Sequence, residues 1–129
     1  MQKTIEQVAW FVIVGCTAAA THWTSAVLAV SAAGMQPLTA NIFGWFIAVG
    51  VSFVGHYRLT FRHQQAPVMR AARRFFAVSA FGFGVNELLY AWLLQITTLR
   101  YDFLLALLLI AMAVLTFILG RFWAFRHKH

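Results

Sequence analysis

The chain has 129 residues, of which 62% are hydrophobic and 10% charged, with a formal charge of +7. Soluble domains carry about a quarter charged residues, so the composition excludes a soluble enzyme and a disordered segment alike. A single cysteine, Cys16, excludes an intrachain disulfide, and small-residue packing is the expected role of a free thiol inside an apolar run.

Four apolar runs predict four membrane spans: Val8 to Val30, Leu38 to Tyr57, Phe75 to Ile96 and Phe103 to Trp123. Each is close to the roughly 20 helical residues that cross a 30 Å hydrocarbon core. Span one is read as a span rather than a cleaved leader, because it exceeds the length of a signal-peptide core and holds Thr21 and His22, with Glu6 just before it. The stretch Ser31 to Pro37 predicts the first turn. In span two, Ala40, Gly44 and Ala48 have small-xxx-small spacing and predict a close-packing face that serves the fold or a dimer. Asn41 beside them reads as packing or as sugar contact. In the polar stretch Arg58 to Arg74, Pro67 is suited to a first helical position. Within the short basic interfacial segment 64–74, a short interfacial helix is therefore expected to begin at Pro67 and lead into span three, with Arg70, Arg73 and Arg74 on one face and Val68, Met69, Ala72 and Phe76 toward lipid. Span three holds Gly82-Phe83-Gly84, a place for close approach or a bend. Span four is apolar apart from Thr116 and is expected to face lipid or a second subunit. Trp23, Trp45 and Trp92 fall in the outer halves of their spans, as an aromatic belt or packing residues, with sugar stacking the alternative.

Basic residues set the expected orientation. Lys3, Arg58, Arg62, Arg70, Arg73, Arg74, Arg121, Arg126 and Lys128 lie in the termini and the central connection, against Arg100 alone on the other side. The positive-inside bias puts both termini in the cytoplasm.

An offset of 64 residues brings Phe11 onto Phe75, Val14 onto Val78, Phe53 onto Phe117 and Phe61-Arg62-His63 onto Phe125-Arg126-His127. The chain is thus expected to be a single membrane domain of two parallel helical-hairpin repeats, about 8–63 and 72–127, since each repeat holds an even number of spans. Phe11 to Gly15, Ser52 to Phe61, Arg74-Phe75 and Thr116 to Phe125 carry a resemblance to the GtrA-like family over about residues 8 to 126. The resemblance implies an all-α, four-span protein of the bacterial inner membrane that handles polyprenyl-phosphate-linked sugars for cell-surface polysaccharide. Where that family commonly has Asn-Arg near the end of span two, this chain has His56-Tyr57, and Gly120-Arg121 stands at the equivalent point of span four.

Glu87 is the sharpest chemical signal. A carboxylate about twelve residues into a span costs roughly 3 kcal/mol to insert and should face the bundle interior with a partner. Asn86 precedes it, Tyr90 follows by one turn, and the repeat sets His22 opposite Asn86. His22, Asn86, Glu87 and Tyr90 are expected to form a polar midplane centre, for a proton-linked step, for sugar hydroxyls, or as a structural clasp. Arg58, Arg73, Arg74 and Arg121 flank span ends where a lipid phosphate would lie, and arginine matches phosphate by bidentate hydrogen bonds. Topology anchoring is the alternative role for each. His63, His127 and His129 lack cysteine or acidic neighbours, so no metal site is expected, nor any cofactor or covalent catalysis.

Three functions fit these features. The first is movement of a polyprenyl-phosphate-linked sugar between leaflets, with a homodimer expected because four short spans enclose little volume. The second is a small proton-coupled exporter of hydrophobic cations built on Glu87. The third is a scaffold that recruits a membrane glycosyltransferase through the central basic segment. Membrane lipids are expected contacts in every case and nucleic acid in none.

Overall fold

The computed structural model describes residues 2–62 and 67–124, with side chains described for 4–62 and 67–115. Every secondary-structure element among them is helical: α1 (Gln2–Ser31), α2 (Pro37–Gly55), α3 (Val68–Ile96) and α4 (Tyr101–Ala124), with a π-helical turn, His56–Thr60, continuing α2. Three stretches are long and apolar enough to cross a membrane, Thr4–Ser31, Pro37–Thr60 and Val68–Ile96, and the apolar run Tyr101–Leu115 opens the fourth helix. The result is an all-helical, four-helix membrane protein. Lipid offers no hydrogen bonds to the backbone, so helices that satisfy their own N–H and C=O groups are what such apolar runs must form.

The α1–α2 turn is made by Gly34, whose φ of 71° lies in the left-handed region that glycine adopts without a Cβ penalty. The Gly34 and Met35 amides fold back onto the carbonyls of Val30 and Ala29 at 3.2 and 3.0 Å. Pro37 then opens α2 at the helix start, where its missing N–H is harmless.

The two helices approach very closely. A Cβ at Gly44 would lie 2.6 Å from the His22 backbone oxygen, and one at Gly55 would lie 2.7 Å from Val14 Cγ1. Ala40 and Ala48 are buried on the same face of α2, and Val14, Ala18, Ala26 and Ala29 are buried on α1. The small-residue face of span two is therefore used inside the chain. Without a hydrophobic force between helices in lipid, such close van der Waals contact holds them together. Each helix packs on its neighbour in sequence, and α4 closes back onto α1.

Two expectations are corrected. Leu104, Leu105 and Leu108 of α4 are buried in a cluster with Ala26, Ala29, Ala40 and Tyr90, so the first half of span four faces the chain's own core, not lipid. Small residues on α1 and α2 leave the space that these leucines and Tyr90 fill. The basic segment after Pro67 is not a separate interfacial helix. Pro67 caps a continuous α3 of 29 residues, about 43 Å long, so Arg70, Arg73 and Arg74 stand on an extension of span three beyond the hydrocarbon length. A Cβ at Gly82 or Gly84 would meet nothing within 4 Å, so neither glycine brings a neighbour close, and both lie within unbroken helix.

Candidate functional site

Two features lie along the seam between α2 and α3, a polar chain and an aromatic cleft. The upper one is a hydrogen-bond chain through three helices. His22 Nε2 lies 2.7 Å from Asn41 Oδ1, and Asn41 Nδ2 donates to Asn86 Oδ1 at 2.9 Å and to Glu87 Oε1 at 3.0 Å. Asn41 is fully buried, His22 and Asn86 nearly so, and Glu87 half-buried. The Asn41 amide is placed with its nitrogen toward α3 and its oxygen toward α1. With the amide oriented this way, the His22–Asn41 contact is a hydrogen bond in which a proton on His22 Nε2 donates to Asn41 Oδ1. Close approach at Gly44 is what lets the His22 ring, on α1, reach Asn41. Nine residues separate Glu87 from the end of α3 at Ile96, about 13 Å of helix rise.

The structure brings together His22, Asn86 and Glu87 and adds Asn41 as the hub. Asn41 shares a helical face with Gly44 and Ala48, three and seven residues on. A polar side chain on a close-packing face was the signal available for it. Tyr90 is a correction. It is fully buried, but its hydroxyl donates to the Tyr101 carbonyl at 3.2 Å, so it ties α3 to the start of α4 and stands outside the polar chain. One turn of helix carries its long side chain past Glu87 toward the α3–α4 connection. Trp23 does similar work from α1, donating to the Asp102 carbonyl at 2.9 Å, while Trp92 is exposed.

The lower feature is a cleft of about 350 Å³, walled by Phe53, His56, Tyr57 and Phe61 on one side and by Ala71, Arg74, Phe75 and Val78 of α3 on the other. Val78 is 74% exposed, so the cleft opens laterally. The π-helical turn shapes its inner wall. The Phe61 amide bonds the His56 carbonyl five residues back at 2.8 Å, which widens the helix and turns the His56 ring inward. His56 Nδ1 meets Thr60 Oγ1 at 2.9 Å, and its ring lies among Phe11, Phe61 and Phe75 at 5.1, 6.0 and 5.9 Å. Both His56 and Thr60 are buried. Such π-turns break the regular helix ladder and are frequent at functional sites.

Of the four arginines set out for phosphate, Arg74 lines this cleft. Arg58 and Arg73 are exposed at the same end of the helices without lining it; the side chains of Thr116 and Arg121 are not among those described, and His63, His127 and His129 lie outside the described residues. Arg62 pairs with Glu6, linking the end of the π-turn to the start of α1.

Residues 10–125 match the GtrA/DPMS transmembrane domain. The chain belongs to that family. The match spans nearly all of the chain, from α1 to the end of α4, and membership makes it a multi-pass membrane protein of a family concerned with lipid-linked sugars. No curated protein and no solved structure matches the chain.

Proposed function

We propose that the chain moves a polyprenyl-phosphate-linked sugar between the leaflets of a bacterial cytoplasmic membrane, with both termini in the cytoplasm, for glycosylation of cell-surface polysaccharide. The observation that carries this reading is the lateral cleft at the arginine-rich end, apolar and aromatic along its walls with Arg74 among them. Its chemistry suits an amphiphile whose apolar chain stays in lipid while a phosphate sits against a guanidinium. Family membership supports the same ligand class. The chain of His22, Asn41, Asn86 and Glu87 offers hydrogen bonds to sugar hydroxyls inside the bilayer, where an unpaired hydroxyl is expensive. A homodimer, and delivery of the lipid by a membrane glycosyltransferase, belong to this reading.

The test is reconstitution of the full chain in vesicles holding fluorescent polyprenyl-phosphate glucose, with quencher added outside. The protein should accelerate leaflet exchange over empty vesicles. Arg74→Ala should reduce it about tenfold or more, the loss of one charge-assisted hydrogen bond. No acceleration by the wild-type chain refutes the reading. Glu87-dependent export of a hydrophobic cation instead would establish the exporter, and neither activity would favour the scaffold.

A further inference from the structure

The cleft and the polar chain share one seam but lie at different levels. Arg74 and Glu87 are thirteen residues apart on α3, about 20 Å of helix rise. A single sugar phosphate spans about 8 Å, some six bonds of about 1.5 Å. One head group therefore cannot engage both places at once and must occupy them in turn.

Between the two levels stands Trp45. Its indole stacks on Phe83 at 4.9 Å and 15°, lies 5.3 Å from Phe76, and donates its N–H to Ser79 Oγ at 3.1 Å. Phe83 in turn reaches the His22 ring at 6.2 Å. Trp45 is 9% exposed, and Asn41 and Asn86 beyond it are 0% and 4% exposed. In this arrangement the polar chain is closed off from the cleft, and the bulk that closes it is aromatic. We propose that Trp45 is the gate between two successive sites for the lipid-linked sugar head, and that the Ser79 hydroxyl is its latch. This rests on the lipid-linked sugar reading above. For the head to pass from Arg74 toward Asn41, the indole must leave Phe83 and release Ser79, while the apolar tail of the lipid remains outside the seam. The closed stack also keeps water and small ions from running along the polar groups when no lipid is loaded.

Ser79→Ala and Trp45→Phe each remove the same latch while keeping an apolar or aromatic filler, and neither position lines the cleft. Two measurements on the reconstituted full chain separate the gate from the site: equilibrium binding of polyprenyl phosphate lacking sugar, and leaflet exchange of polyprenyl-phosphate glucose. Each variant should exchange lipid about fivefold faster, as loss of one hydrogen bond from the closed state allows, with binding of the phosphate probe unchanged. The double variant should be no faster than either alone, because both remove one interaction. Rates at or below wild type in both variants, with binding retained, overturn the gate and leave the lipid reading standing. No binding of the phosphate probe to the wild-type chain overturns the lipid reading, and the gate with it.

Discussion

Gly44→Ala gives the most direct test of the packing that builds the polar chain. The new methyl would sit 2.6 Å from the His22 backbone oxygen, 3.0 Å from His22 Cδ2 and 3.2 Å from Ala26 Cβ. An ordinary carbon–oxygen contact needs about 0.8 Å more than the first of these, which is close to the 3.5 Å optimum for non-bonded atoms. The atom in the way is backbone, so no rotamer change relieves it and α1 must move from α2. Overpacking of this kind costs about 1–3 kcal/mol, and the shift stretches the 2.7 Å His22–Asn41 bond, worth about 1 kcal/mol more. Alanine's better helix propensity returns up to about 1 kcal/mol, leaving a net loss of about 1–3 kcal/mol. Gly55→Ala makes the useful comparison. Its methyl would meet Val14 Cγ1 at 2.7 Å, a side-chain clash that Val14→Ala should relieve. Gly82→Ala and Gly84→Ala, with open space around them, should be neutral or stabilising. Thermal unfolding in mild detergent, followed by size exclusion, ranks all of these. The close α1–α2 approach is refuted if Gly44→Ala melts with Gly82→Ala, or if Val14→Ala fails to rescue Gly55→Ala.

Asn41→Ala should destabilise by about 1–3 kcal/mol in the same assay, because it strands the buried His22 N–H and two acceptors at once. Glu87→Gln retains an oxygen for the Asn41 amide and should fold with near wild-type stability. Loss of leaflet exchange in that folded variant would assign Glu87 a proton-linked role, and unchanged exchange would exclude one. Glu6→Gln removes one exposed ion pair with Arg62, so its effect should stay below about 1 kcal/mol and vanish at high salt. A fluorescent-protein fusion at the C-terminus should glow, and an alkaline phosphatase there should stay silent, as both termini in the cytoplasm require. A phosphatase inserted at residues 97–100 should be active.

The positions of the four helices are legible in the sequence to within a few residues at most ends, because apolar length and backbone satisfaction in lipid leave little choice. The starts of spans one and three are the exceptions: α1 begins at Gln2, six residues before Val8, and α3 at Val68, seven before Phe75. In span three, charge and amphipathicity mark off a basic segment, but nothing after Pro67 interrupts helix, so one continuous α3 forms. The small-xxx-small spacing of Ala40, Gly44 and Ala48 announced a close contact, and α1 proved to be the helix it meets. His22, Asn86 and Glu87 could be picked out because polar groups inside a span need partners. Asn41 could not be ranked as their hub, since its role depends on which faces of three helices converge.

Composition and periodicity by themselves determined a membrane protein of four helices, the placement of its charges and the residues too polar to face lipid. Each of these is a local property, set by how a residue or a run partitions between water and hydrocarbon. The tertiary structure decided the rest: that α4 supplies core leucines, that Tyr90 and Trp23 bind the start of α4, that an aromatic cleft lies between the π-turn and Arg74, and that Trp45 packs across the seam above it. Those depend on helix rotation and separation, which in lipid follow from close packing of particular small and large side chains and not from hydropathy.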